Sequence, residues 1–175
     1  MRRILLVDDE INVLNALVRE LRQHLHVDDL RIETFTDPFD ALTRCAECSF
    51  DVVISDFRMP QMTGVEFLHA VMLTAPDTVR IILSASTEFT TVTSAINEAH
   101  VFRYVPKPWQ VGDLQDTIRQ ALVQRDTLRN ERRMADQQRV LNGTMSVEER
   151  DTRWLEDEEP GLSRVTRDKN GDIIL

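Results

Sequence analysis

The sequence predicts an α/β protein, a doubly wound five-stranded parallel sheet with an extended C-terminal helix and a short tail. Strict alternation of strand-like and helix-like segments over about the first 125 residues forces each strand to be followed by a crossover, which sets helices on both faces of a parallel sheet. A content of 42% hydrophobic and 29% charged residues in 175 residues supports one buried core of ordinary size with a few dozen residues to spare. Several helix starts also carry explicit capping signals.

Arg3–Val7 is a continuous apolar run suited to a buried first strand. Ile11, Leu14, Leu17, Val18, Leu21 and Leu25 then follow helical spacing. Leu30–Phe35 alternates instead, Leu30 and Ile32 against Arg31 and Glu33, as an edge strand does. Asp37-Pro38 reads as a cap with proline at the first helical position, ahead of Ala41, Leu42 and Cys45. Asp51–Ser55 is the third strand. Thr63-x-x-Glu66 is a capping box opening a helix with Val65, Leu68, Val71 and Met72 on its apolar face. Val79–Ser84 is the fourth strand, Phe89, Val92, Ile96 and Ala99 mark a fourth helix, and Val101–Val105 is the fifth strand.

The last helix of the alternation starts near Gln110, shows Leu114, Ile118 and Leu122 on one face, and stays helix-compatible to about Asn142, where Gly143 supplies a stop. That is roughly thirty residues, or about 45 to 50 Å. Beyond the domain, Leu128, Met134, Ala135, Val140 and Leu141 leave only an intermittent apolar stripe, expected of a linker helix or a weak coiled coil. Ser146-x-x-Glu149 is a second capping box before a short acidic helix, and Leu162–Thr166 and Asp172–Leu175 flank an Asn170-Gly171 turn that favours a β-hairpin.

The net charge of −9 argues against a surface for nucleic acid or anionic lipid. Apolar runs reach only about four residues, for example Ile4–Val7, so no membrane span is expected, and acids at Asp8, Asp9 and Glu10 arrive too early for a signal peptide. The chain is expected to be cytoplasmic, with Cys45 and Cys48 reduced. Cys45-x-x-Cys48 lacks a second pair and reads as helix packing, and His24, His26, His69 and His100 form no ligand set. Asp168–Asp172 opens like a calcium loop, but Ile173 replaces the needed glycine. Lys107 and Lys169 are the two lysines among 21 basic residues, and a compact ammonium kept in an arginine-rich chain calls for a chemical reason.

That reason emerges at the strand ends. Asp8 and Asp9 follow the first strand, Asp56 the third, Ser84 ends the fourth and Lys107 follows the fifth, all at the carboxyl edge where open α/β sheets place their sites. Converging carboxylates repel one another unless a cation sits among them, and all-oxygen ligands with room for water suit Mg²⁺. A lysine and a small hydroxyl beside them can hold phosphoryl oxygens, with one carboxylate as nucleophile.

Ile4-Leu-Leu-Val-Asp-Asp-Glu10, Ile54-Ser-Asp-Phe-Arg-Met-Pro-Gln-Met-Thr-Gly64, Leu83-Ser-Ala85 and Tyr104-Val-Pro-Lys-Pro-Trp109 together resemble the receiver domain of bacterial two-component response regulators over about residues 1–125. The resemblance implies a flavodoxin-like sheet of order 2-1-3-4-5. It also implies Asp56 as phosphoacceptor, a Mg²⁺ site of Asp8, Asp9, Asp56 and the Arg58 carbonyl, and Ser84, Lys107 and Tyr104 as phosphoryl-contacting and switch residues. Lys107-Pro108 would be a cis peptide, and Ala85 is small beside the acceptor. Two features depart from the family pattern: Pro106 removes a backbone donor at the strand end, and Arg58 and Ser86 flank the approach to the phosphoryl group.

On this reading residues 1–125 are the receiver, 126–143 a linker helix, and 144–175 a short helix with a β-hairpin tail. The expected partners are a histidine kinase or phosphotransfer protein, a second copy in a homodimer paired through the long helices, and an output protein on which the tail docks. Beyond accepting and slowly losing its phosphoryl group, the chain is not expected to be an enzyme. The alternative is the regulatory N-terminal part of a larger output enzyme or transcription regulator. The Phe102–Trp109 wording resembles receivers joined to HD-GYP phosphodiesterases or to hydrogenase-type regulators. No His-Asp dipeptide, Walker loop or Gly-Gly-Asp-Glu-Phe run in these residues supplies such an output, and charge and length oppose a DNA-binding tail.

Overall fold

The computed structural model describes residues 1–85 and 99–158. Five parallel strands, β1 (Arg2–Val7), β2 (Leu30–Phe35), β3 (Val52–Asp56), β4 (Val79–Ser84) and β5 (Arg103–Pro106), form one sheet of order β2-β1-β3-β4-β5. The described helices are α1 (Ile11–His24), α2 (Pro38–Glu47), α3 (Gly64–Thr74), α4 (Val111–Leu141) and α5 (Val147–Glu158). The helix expected over Phe89–Ala99 falls almost wholly outside the described residues, as does the hairpin expected around Asn170-Gly171.

Alternation along the central strands creates two cores. Ile4, Leu6, Ile54, Ile81 and Leu83 point to one face, where α1 contributes Leu14, Leu17 and Leu21 and α4 contributes Leu114, Ile118 and Leu122. Leu5, Val7, Val53 and Ile82 point to the other, against Ala41 and Cys45 of α2 and Phe67, Leu68 and Val71 of α3. Burial of one such leucine or isoleucine contributes on the order of 2 kcal/mol, so these two layers supply most of the drive to fold. Cys45 and Cys48 are buried and unbridged, and burial pushes the Cys45 thiol up to about 12. Their role is packing.

The local signals act as expected. Asp37 accepts from the amides of Phe39 and Asp40 with Pro38 at the first turn, and Thr63 and Glu66 complete their capping box around the start of α3. The half-exposed pattern of β2 matches its place at the sheet edge. Helix α4 runs 31 residues to its cap at Asn142, and Gly143 takes the left-handed φ of 71° that ends it.

Two expectations change. Leu128 does not share a stripe with Met134 and Leu141: it turns inward and packs on the first core, while Met134 and Leu141 stay exposed. Six residues of helix rotate a side chain by about 240°, which separates Leu128 from Met134. The short acidic helix, expected to dock on another chain, lies in cis: α5 folds back beside α4, with Arg153 of α5 3.3 Å from Asp136 of α4. Among the described residues no helix is long and apolar enough to cross a membrane.

Candidate functional site

The parallel register delivers the polar residues to one edge. Asp56 is the last residue of β3, opposite Leu83, and Ser84 ends β4 opposite Pro106. Asp8 follows β1 directly, its amide donating to the Phe35 carbonyl. Pro106 cannot donate, and the next residue takes over: the Lys107 amide donates to the Ser84 carbonyl at 2.8 Å. The Lys107-Pro108 peptide is cis.

Lys107 is the centre of the site. Its ammonium donates to Asp8 Oδ2 at 2.6 Å and to Asp56 Oδ1. Both carboxylates are buried, Asp8 to 1% and Asp56 to 7% exposure. Each is fixed through its other oxygen: the Glu10 amide donates to Asp8 Oδ1 at 2.9 Å, and the Arg58 amide to Asp56 Oδ2 at 2.6 Å. Burial is the largest influence on Asp8 and raises its pKa against the opposing pull of Lys107. For Lys107 burial alone would lower the value, but hydrogen bonds to Asp56 and Asp8 outweigh it and the pKa is raised. The lysine is therefore charged.

Asp9 and Arg58 are exposed at the rim. Among the described residues no three His, Cys, Asp or Glu side chains are gathered as a metal cage; Lys107 instead bridges two of the three aspartates. The donor chemistry nevertheless fits a hard divalent cation, because Asp8, Asp9 and Asp56 bring three carboxylates against one ammonium and two of them are desolvated.

Beyond Asp56, Tyr104 is half-buried against the second core and its hydroxyl donates to the Ser84 carbonyl at 3.2 Å. The same carbonyl thus receives both the Tyr104 hydroxyl and the Lys107 amide. Ser86 lies outside the described residues.

Two positions contribute without having been assigned a role from sequence. A Cβ on Gly64 would stand 1.9 Å from the Asp56 carbonyl oxygen, so only glycine lets α3 start this close to Asp56. The Ser55 hydroxyl donates to that same oxygen at 2.8 Å. Spacing held the signal for Gly64, since it is the only glycine among the first 111 residues.

Comparison with known proteins agrees with this geometry. The family model described as the response regulator receiver domain matches residues 4–119. The hydrogenase transcriptional regulatory protein HoxA of Cupriavidus necator is 36% identical over 119 residues, 68% of this chain and 24% of HoxA. The cyclic di-GMP phosphodiesterase response regulator RpfG of Xanthomonas campestris is 29% identical over 159 residues, 87% of this chain and 40% of RpfG. The signal receiver domain of an HD domain-containing protein from Pseudomonas fluorescens superimposes with a TM-score of 0.66 at 32% identity, covering 72% of this chain and 98% of that one. The chain thus spans well under half the length of either regulator.

Proposed function

The chain belongs to the response regulator receiver domain family, and from that premise we propose that Asp56 is its phosphoacceptor and that Asp8, Asp9, Lys107, Ser84 and Tyr104 serve the transfer and its readout. Receivers take their phosphoryl group from a histidine kinase and are not enzymes in themselves, and they are generally Mg²⁺-dependent. The observation that carries the assignment is the Lys107 ammonium held between the buried carboxylates of Asp8 and Asp56.

Transfer proceeds by attack of an Asp56 carboxylate oxygen on phosphorus: an O–P bond forms as the N–P bond to the donor histidine breaks, and the imidazole leaves with the electron pair. Asp8, Asp9, Asp56 and the Arg58 carbonyl would hold Mg²⁺, which supplies charge neutralisation for the phosphoryl oxygens. Lys107 already contacts Asp56 and follows the new charge with its mobile ammonium. The Arg58 amide fixes the other Asp56 oxygen, so the nucleophile has one preferred orientation. The Ser84 hydroxyl turns to the phosphoryl group, and because the Ser84 carbonyl also holds Tyr104 and the Lys107 amide, its movement reaches β5 and the start of α4.

The readout is a homodimer. Val123, Thr127, Asn130, Met134, Gln137 and Leu141 are all exposed and recur at intervals of four and three residues along the face of α4 turned from the core. This is the spacing of a two-stranded coiled coil, with Asn130 at the kind of position that fixes register at a cost in stability. So thin a row pairs only when the receivers raise its effective concentration. Sedimentation should show phosphorylation-dependent dimers for the full chain but not for Ser84→Ala, Lys107→Arg or a chain ending at Leu128. Equal association in all four contradicts this readout. The small share of HoxA and RpfG that the chain matches supports a second reading, in which these residues regulate an output region of a longer protein.

A further inference from the structure

The amino end of the sheet carries a second charged cluster that phosphoryl transfer does not use. Arg132 of α4 reaches two elements at once: its Nη1 lies 2.6 Å from Asp77, in the loop before β4, and 3.3 Å from Asp157 in the last turn of α5. Ser49, in the loop after α2, donates its hydroxyl to the Asp157 carbonyl. Asp136, only 1% exposed, sits 3.4 Å from Arg139 and 3.3 Å from Arg153. The Trp154 ring has the Arg133 guanidinium 5.2 Å and the Arg150 guanidinium 5.0 Å from its centre.

This contact is built unlike the cores. Leu155 and Val147 of α5 stay more than half exposed, so α5 is held by charge and by one aromatic ring rather than by buried aliphatic surface. A cavity of about 380 Å³ lies between α5 and the loops beneath it, lined among others by Ser49, Pro76, Arg125 and Glu156. Arg125 Nε and Nη1, Asp136 Oδ2 and Trp154 Nε1 are buried with no hydrogen-bond partner among the described residues. Partly buried ion pairs such as these, with Arg132 26%, Asp77 19% and Asp157 29% exposed, contribute on the order of 1 kcal/mol each, and buried polar atoms without partners subtract from that. The docking of α5 is marginal.

One element joins this marginal contact to the phosphoryl site. Lys107 stands three residues before the α4 cap at Gln110, and α4 runs without a break past Arg132. From Ile118, fully buried in the first core, to Arg132 is about 21 Å along the helix axis. A tilt of about 5° about that point, which also slides Leu122 and Leu128 along the first core, moves Arg132 by about 2 Å. That is enough to part a contact of 2.6 Å from a fixed Asp77.

We infer that α5 is an intrachain latch, clasped by Arg132 between Asp77 and Asp157, that opens when α4 tilts in response to the phosphoryl group. The coupling rests on the receiver reading above, while the latch itself rests only on the contacts of α4, α5 and the two loops. Opening it releases α5 from the far end of the receiver. Charge changes at Asp77 or Arg132 then act on α5 without touching phosphoryl chemistry.

Hydrogen exchange of the full-length chain followed by mass spectrometry tests both parts, with beryllofluoride and Mg²⁺ as the phosphoryl probe. In the free protein, Arg132→Ala and Asp77→Asn should each speed exchange across residues 147–158 by about tenfold, with the protection of β1, β3 and β4 unchanged as the sign of an intact fold. Beryllofluoride should speed the same segment in the wild type and not in Asp56→Asn. Equal exchange of that segment in wild type, Arg132→Ala and Asp77→Asn overturns the latch. Beryllofluoride that binds, protecting the β3–α3 loop, but leaves residues 147–158 unchanged overturns the coupling and spares the receiver reading. Failure to bind it at all overturns the receiver reading and the coupling with it, and the two variants still decide the latch.

Discussion

The two ends of the sheet handle charge in opposite ways. At the carboxyl edge three aspartates face one lysine, and the two buried ones share its ammonium. At the amino edge Asp51, Asp77, Asp126 and Asp157 face Arg2, Arg125 and Arg132 in near balance, and Arg2 grips Asp126 through two hydrogen bonds of 2.7 Å. Guanidinium forks hold carboxylates in fixed geometry. A lone ammonium is a point charge that can pass from one oxygen to another. The deficit of positive charge at the carboxyl edge suits a divalent cation, whereas the amino edge is already close to neutral.

The comparison is tested most severely by Arg80. It is a buried arginine whose guanidinium donates to the carbonyls of Thr78 at 2.7 Å, Ala99 at 3.0 Å, Pro76 at 3.2 Å and His100 at 3.3 Å, tying the start of β4 to the approach to β5. Arg80→Ala should cost about 3 kcal/mol in chemical denaturation, because four carbonyls lose a charged donor. Phosphoryl uptake by the folded fraction should be retained.

A smaller effect is expected at the proposed metal ligands. Calorimetric titration of Asp9→Asn should show Mg²⁺ affinity weakened by about tenfold or more through loss of a charged ligand, with Arg2→Ala unaffected. Unchanged affinity in Asp9→Asn would put the ligand assignment in error.

Asp8 and Asp126 should respond to pH with opposite signs. Burial holds the Asp8 carboxyl above its ordinary range, so the metal-free fold is favoured by its protonated form, and that contribution is lost as pH rises through the raised value. Asp8→Asn should therefore raise the neutral-pH stability of the metal-free protein by about 1 kcal/mol, at the expense of Mg²⁺ binding. Arg2 holds Asp126 below the usual range through their hydrogen bonds, so that pair stabilises above the ordinary carboxylate range and fails as pH falls through the lowered value. Because the pair is partly exposed, Arg2→Ala should cost less than about 1 kcal/mol at pH 7 and nothing measurable in strong acid. Thermal melts of both variants across pH check the two signs together.

Much of the sheet and its helices was legible because its signals are local. Buried strands read as continuous apolar runs, β2 as alternation, and the starts of α2 and α3 as capping chemistry within four residues. The gathering of Asp8, Asp56, Ser84 and Lys107 at the carboxyl edge was legible because each sits at or just past the end of a strand that could be read. Arg80 was not, since an arginine in a strand looks exposed until its four carbonyl acceptors, drawn from two separate stretches of chain, are brought together. The inward turn of Leu128 was available in the helical phase, which sets it apart from Met134. The seating of α5 was not available at all: Arg132, Asp77, Ser49 and Asp157 are far apart in sequence, and ion pairs leave no periodic trace.

Mass spectrometry of the intact chain after incubation with Mg²⁺ and acetyl phosphate tests the central assignment most directly. Wild type should gain a single hydroxylamine-sensitive increment of about 80 Da, absent without Mg²⁺ and absent in Asp56→Asn. An increment that persists in Asp56→Asn, or that forms equally well without the metal, would contradict the assignment of Asp56 as the acceptor in a Mg²⁺-dependent receiver.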